Sequence, residues 1–169
     1  VVAEVCGAAG VPDPDVSELY GLVRGYLAET TSTGRAVLQP LQLAHGFDAV
    51  EREGRLRFLS RGRRAAGEVA RDGVVAAEEG DVELVRAPQA EVSGRIRLGH
   101  ADADGDYGMR SAEAVFPDEA AHRVDASELP LALLPAEGRG IAERWLAESR
   151  IARDGMKLSL PPARLDLGA

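Results

Sequence analysis

Glycine and proline cut this chain at Gly10, Pro12, Pro14, Gly46, Gly54, Gly155 and the Pro161-Pro162 pair, and these joints set the order of its elements. Glycine ends helices in the left-handed region and proline cannot continue them, so each joint is a physical stop. Between stops, apolar spacing says what each piece is. Residues 2–9 put Val2, Val5, Cys6 and Ala9 on one helical face, and Pro12-Asp13-Pro14-Asp15 makes the turn after Gly10. Residues 19–28 read as a strand, with Leu22, Arg24 and Tyr26 opposite Val23, Gly25 and Leu27. Thr31 or Ser32 caps a second helix whose buried side is Ala36, Val37, Leu41 and Ala44. Pro40 should kink or break that helix, and Gly46 ends it. Residues 47–51 and 55–59 form a hairpin about Arg52-Glu53-Gly54, with Phe47, Ala49, Leu56 and Phe58 available for one face.

That α-β-α-β-β unit fills residues 1–62, and the polar stretch 63–81 reads as a linker with an irregular turn. Strand texture follows over residues 82–86, 94–100, 107–116, 122–125 and 129–133, with an acidic turn at 101–106. Residues 136–153 form a long helix with Ile141, Ala142, Trp145 and Leu146 as its apolar stripe and Gly155 as its stop. Strands at 156–160 and 165–167 close the second unit, residues 82–169. The fold class is α+β, a small α-β-α-β-β unit followed by a β-rich, partly open barrel with one long helix.

Composition narrows the class of partner. The 169 residues are 45% apolar and 28% charged, a globular mix with enough chain for a core. The longest uncharged apolar run, 129–136, holds two prolines and is far short of a membrane span, so membrane insertion is not expected. A lone Cys6 excludes an internal disulfide framework. A net charge of −8 disfavours nucleic acid or an anionic membrane as partner. Val1 stands where an initiator methionine would, and the end follows a strand-like run; both suggest a segment of a longer protein.

The candidate sites favour bland readings. Asp102, Asp104, Asp106 and Glu113 occupy positions one, three, five and twelve of a calcium loop, but Tyr107 holds the place that needs glycine. An acidic, solvated turn is the better reading. Arg52, Arg55, Arg57, Arg61, Arg63 and Arg64 crowd one stretch, yet Arg55 and Arg57 alternate with Leu56 and Phe58 as on the wet face of a hairpin. His45, His100 and His122 lack metal-ligand spacing and sit at element edges, as surface histidines do. Cys6 lies on an apolar helical face and reads as buried and inert. Glu137 and Glu143 form a glycosidase pair only by assertion, and Trp145 reads as a core anchor rather than a sugar platform. No catalytic, cofactor-binding or metal-binding residue is assigned.

Two stretches carry a resemblance. One runs from Leu22 through "GYLAETTSTGRAVLQPLQLAHGFDAVEREGRLRF", a Gly-Tyr strand, a helix with a Leu-x-Pro-Leu core and a Glu-x-Glu-Gly hairpin. The other begins at Arg95 with "RIRLGHADADGDY" and resumes at Leu129 with "LPLALLPAEGRGIAERWLAESRIARDGMKLSLPPARLDLG". In this order they resemble the tail-hub proteins of gene transfer agents and siphophage-like tails, the putative phage tail protein family. The chain departs from that pattern at Gly34, over 61–91, and by stopping before a Gly-Asp-Val-Val step.

The resemblance implies a structural, non-enzymatic part of a tail tip or baseplate hub in a virion or phage-like particle, assembled in the bacterial cytoplasm. It implies a homotrimeric ring around the tail channel, with other tail tube and tail tip proteins as partners and no cofactor. The alternatives from the residues are a cell-wall carbohydrate-binding or hydrolytic module, or a hub-like protein of a secretion system.

Overall fold

The computed structural model describes residues 1–28, 32–62, 68–75, 82–88, 91–117 and 123–167. Helix α1 (Val2–Ala8) packs on α2 (Gly34–His45), and hairpin β2 (Phe47–Arg52) and β3 (Arg55–Ser60) follows directly. Three further strands, β5 (Ser93–Asp102), β6 (Met109–Val115) and β7 (Arg123–Leu133), join the two-residue β1 (Gly25–Tyr26) in an open sheet of order β1-β7-β5-β6. Helix α3 (Pro135–Ile151) lies across β5 and β6. Strands β4 (Val82–Arg86) and β8 (Asp154–Leu158) pair only with each other among the described residues. The fold is therefore mixed α+β, with open sheets and no closed barrel among the described residues.

Alternation decides which face of the main sheet is buried. Ile96, Leu98 and His100 of β5 and Ala114 of β6 point at α3, where Gly138, Ile141, Ala142 and Leu146 receive them. Leu129, Leu131 and Leu133 continue the same layer, and Leu38, Leu41, Ala44, Phe47, Phe58 and Cys6 belong to the same cluster. The rings of Phe47 and Phe58 meet edge-on, 5.9 Å between centroids at 74°. Cys6 is buried, as its place on the helix face requires.

Several expectations are corrected. The strand expected at 19–28 is paired only at Gly25–Tyr26, against Ala132 and Leu131; in this register residue 24 already falls opposite Leu133, where β7 ends and α3 follows, so residues 19–23 have no strand beside them. The cap of α2 is Thr33, whose hydroxyl accepts from the Ala36 amide at 3.3 Å; Thr31 lies outside the described residues. The helix runs unbroken through Pro40. Its buried side is Leu38, Leu41 and Ala44, while Ala36 is exposed. Ala49 is also exposed, leaving Phe47 and Phe58, with the half-buried Leu56, to carry the hairpin's inner face. Glu53 and Gly54 both take positive φ, the tight two-residue turn that matches strand twist.

In the second half, the strands expected at 122–125 and 129–133 are one, β7. Gly155 sits inside β8 rather than stopping α3, whose C-cap is Ala152. The strand expected at 165–167 is instead part of a 3-10 turn, Pro162–Leu167, where the proline pair stiffens the backbone out of strand geometry. Trp145 is only partly buried; it flanks the core that Ile141, Ala142 and Leu146 fill.

Gly138 allows α3 to approach the sheet. A Cβ there would lie 2.5 Å from His100 Nε2 and 3.3 Å from the Ala112 methyl. Because His100 is almost fully buried, it has nowhere to swing. Gly138→Ala is therefore expected to destabilise the fold by about 1–3 kcal/mol despite its better helix propensity, as overpacked cores do. Urea unfolding midpoints of the two proteins check this.

Candidate assembly surface

The arginines of the hairpin are structural ties rather than a wet face alone. The segment after α1 lies along β3, where the Asp15 amide donates to the Leu56 carbonyl at 2.8 Å and the Phe58 amide to the Asp15 carbonyl at 2.9 Å. Arg57 Nε donates to Asp15 Oδ2 at 3.1 Å, and Arg55 pairs with Asp13 at 2.8 Å. Arg61 grips Asp48 with two nitrogens, at 2.8 and 2.7 Å, and reaches Glu148 of α3 at 2.9 Å. Arg63 and Arg64 lie outside the described residues. Only spacing was visible in the sequence; which carboxylate each arginine meets depends on the path of 13–15 for Arg55 and Arg57 and on the placement of β2 and α3 for Arg61.

Three residues of α3 hold the first unit in place. One Arg144 nitrogen donates to the carbonyl oxygens of Leu43 and Ala44, at 2.7 and 2.6 Å, which α2 leaves unpaired at its end. Glu137 accepts from the Leu134 amide at 2.8 Å, capping α3, and pairs with Arg24 at 3.2 Å. Glu148 completes the set through Arg61. The Tyr26 hydroxyl donates to the Val37 carbonyl and ties β1 to α2. So Glu137 has a capping role, and Glu143 is exposed elsewhere on the helix. The expected surface histidines are corrected too: His100 is buried, with Nδ1 2.9 Å from the Ala101 carbonyl, and His45 is half-buried against Gly21. His122 lies outside the described residues.

The acidic turn is spoken for internally. Asp102 is buried, pairs with Arg110 at 2.6 Å and accepts from the Asp104 amide at 3.1 Å. Asp106 and Tyr107 take positive φ in the turn, and Glu113 sits on β6 between Arg95 and Arg97, at 3.0 and 2.9 Å. The candidate calcium ligands Asp102 and Glu113 are thus parted, Asp102 buried and paired with an exposed Arg110 and Glu113 on a sheet face, and among the described residues no group of acidic, His or Cys side chains is placed to hold a metal.

What remains exposed is edges and apolar surface. The outward side of β6 and the part of β7 at 123–129 have no strand partner among the described residues. The sheet face away from α3 presents Val124, Ala126 and Glu128 beside Arg95, Arg97 and Gly99, then Val115, Glu113 and Ser111. Toward the far end of the strands, Leu27, Tyr107, Met109 and Pro130 line a trough of about 480 Å3. The β4–β8 ribbon exposes Val82, Leu84, Val85 and Met156. Exposed apolar surface on this scale, unpaired edges included, is the mark of assembly.

The family model described as "Putative phage tail protein" matches residues 33–169. The chain belongs to this phage tail protein family. Among solved structures, this tail protein is similar to a chain of "Virion of native gene transfer agent (GTA) particle", with 52% sequence identity and a TM-score of 0.93. The match covers 99% of the tail protein and 38% of the virion chain, so the tail protein spans well under half of that chain's length. No curated protein matches. Among the described residues no helix is long and apolar enough to cross a membrane.

Two measurements probe the ties that carry this surface. Arg144→Ala strands the last carbonyls of α2 and is expected to lower unfolding stability by about 1–3 kcal/mol, read by urea titration. Burial, with help from the Arg144 charge and against that of Glu137, pushes the His45 imidazole below its ordinary value. The unfolded chain then binds the proton more tightly than the folded one. Stability from His45 is complete above the ordinary imidazole range and declines as pH falls through it toward the lower folded value. His45→Gln should flatten the stability profile between about pH 5 and 7. An unchanged slope would remove His45 from the account.

Proposed function

We propose that this tail protein is a structural subunit of a phage-like tail tip or baseplate hub, part of a ring around the tail channel that connects the tube to distal tip proteins. In this reading copies assemble as a homotrimer in the bacterial cytoplasm and remain in the tail of a virion such as that of a gene transfer agent. Residues 1–62 and 82–169 act as its two building units. The role is mechanical, with no cofactor, no catalytic step, no specific nucleic-acid contact and no membrane insertion.

The observation that carries the reading is the pair of open edges on one sheet. Strand β5 runs parallel to β7 and antiparallel to β6, so β6 and β7 are antiparallel to each other. Rotation about an axis along the strands preserves strand direction. The β6 edge of one copy therefore meets the β7 edge of the next as an antiparallel pair, which is a heterologous contact able to close a ring. The seven residues of β6 face a stretch of similar length on β7, since β1 covers only its last residues.

The register identifies the groups at stake. The Phe116 amide donates to the Gly94 carbonyl and the Asp102 amide to the Gly108 carbonyl, so in β6 the even-numbered residues bond to β5. Met109, Ser111, Glu113 and Val115 then turn their amides outward. The protein is expected to be monomeric or weakly associated at micromolar concentration and to associate toward millimolar. Ser111→Pro removes one outward donor, leaves the β5 ladder whole and should abolish that association while the circular dichroism spectrum is unchanged. Sedimentation equilibrium decides it. A Ser111→Pro protein that associates like its parent, or a stable two-fold dimer in the parent, would count against the ring.

A further inference from the structure

Three Asp-Gly steps occur in the chain, Asp72-Gly73, Asp104-Gly105 and Asp154-Gly155, and it has no asparagine. At such a step the glycine amide nitrogen is unscreened by a side chain. Its permissive backbone can also bring that nitrogen onto the preceding carboxyl carbon. The fold treats the three steps differently.

Asp154-Gly155 is locked. Arg86 grips the Asp154 carboxylate with two nitrogens, at 2.6 and 3.2 Å. The Ala87 amide bonds the Arg153 carbonyl, so by antiparallel alternation Val85 and Gly155 are a hydrogen-bonded pair, and the Gly155 amide is committed to the ladder. At Asp72-Gly73 the glycine amide is held by the Ala70 carbonyl at 2.9 Å in a 3-10 turn. Asp104-Gly105 lacks both restraints. The two residues are exposed in the turn between β5 and β6, and the Gly105 amide lies 3.4 Å from the Asp102 carbonyl, longer than an ordinary hydrogen bond. The Asp104 carboxylate makes no ion pair or hydrogen bond among the described residues.

The fold also keeps glycine at this place. A Cβ on Gly105 would lie 2.6 Å from Asp102 Oδ2, the oxygen of a buried carboxylate that pairs with Arg110 at 2.6 Å. A bulkier residue, which would shield the amide, is excluded by that ion pair.

We propose that Asp104-Gly105 is a modification site, the step at which this protein converts to isoaspartate. The Gly105 nitrogen attacks Cγ of Asp104; the new C–N bond closes a succinimide while the Cγ–OH bond breaks, and hydroxyl and amide proton leave as water. Water then adds to the ring. Opening at the Asp104 main-chain carbonyl routes the chain through Cβ and Cγ, and opening at Cγ restores aspartate. Isoaspartate adds one carbon to the main chain inside a turn closed by the Gly108 amide on the Gly105 carbonyl at 3.0 Å and the Asp102 amide on the Gly108 carbonyl at 2.9 Å. The turn loosens directly before Met109 opens β6. The inference is independent of the ring reading.

Ageing the folded protein in warm neutral buffer tests it, with peptide mapping by mass spectrometry and isoaspartate counted by enzymatic methylation. A product lighter by one water, then isoaspartate, should accumulate at Asp104 several-fold faster than at Asp72 or Asp154. In unfolding urea the three rates should converge, because the fold is what separates them. Asp104→Glu keeps the charge but must close a larger, slower ring, and it should remove most of the methyl-accepting sites. Conversion first at Asp72 or Asp154, or equally at all three in the folded protein, would overturn the proposal. So would isoaspartate at Asp104 that forms in urea and not in the folded state, or a methylation count that Asp104→Glu leaves unchanged.

Discussion

The close approach of α3 to β5 and β6 is the contact on which the rest depends. A residue with no side chain, Gly138, lets the helix come down onto a buried histidine, and Ile141, Ala142 and Leu146 then fill the layer over Ile96, Leu98 and Ala114. Once that depth is set, the polar residues of the same helix fall within reach of the first unit. Arg144 closes the end of α2, Glu137 meets Arg24, and Glu148 meets Arg61. Each is a charged group with a directional partner, stronger than a neutral hydrogen bond and specific in register. The helix thus serves two surfaces at once, apolar toward the sheet and ionic toward the hairpin and α2.

Covering one face of the sheet leaves the other face free and both edges open. A sheet of four strands whose first strand is two residues long cannot seal itself. The β5–β7 pairing slips twice, after Ser93 where β5 carries the extra residue and after Gly99 where β7 does, and the segment of β7 that meets β1 lies just beyond the second slip. Membership in a phage tail protein family gives this incomplete sheet a context, because its exposed strands belong to a class of proteins that work as assembled parts.

Much of this order was legible in the residues, for identifiable reasons. Helix α3 and hairpin β2–β3 follow local rules, the apolar stripe at Ile141 and Leu146 and the turn at Glu53-Gly54, and they appear where spacing puts them. Some failures are local, such as the cap at Thr33 and the helix that runs through Pro40, and the others are decisions made by distant partners. Residues 19–24 have strand chemistry and no strand to join, so they stay irregular. His100 looked like an edge residue because nothing nearby in sequence announces Gly138 as the space it occupies. The arginines looked solvated because their carboxylates come from 13–15, Asp48 and α3. The assembly surface had no local signature at all. It is defined by what the strands leave unpaired, which no window of residues contains.

Open edges invite pairing with any passing strand, and the charges on this sheet address that. Glu113 is held between Arg95 and Arg97, and those guanidiniums keep its carboxyl below the usual range. Asp125 is held the same way, by the Ser93 hydroxyl and then Arg123. A foreign strand laid on β6 would have to pass side chains already committed to ion pairs, with no gain from unpairing them. A strand whose own face leaves these pairs intact meets only the outward backbone groups. Discrimination then comes from the cost imposed on wrong partners as much as from affinity for the right one. The same logic holds at the ribbon, where Arg86 is committed to Asp154 and Glu83 to Lys157, so a wrong partner laid on it would gain nothing from charges that already pair with each other.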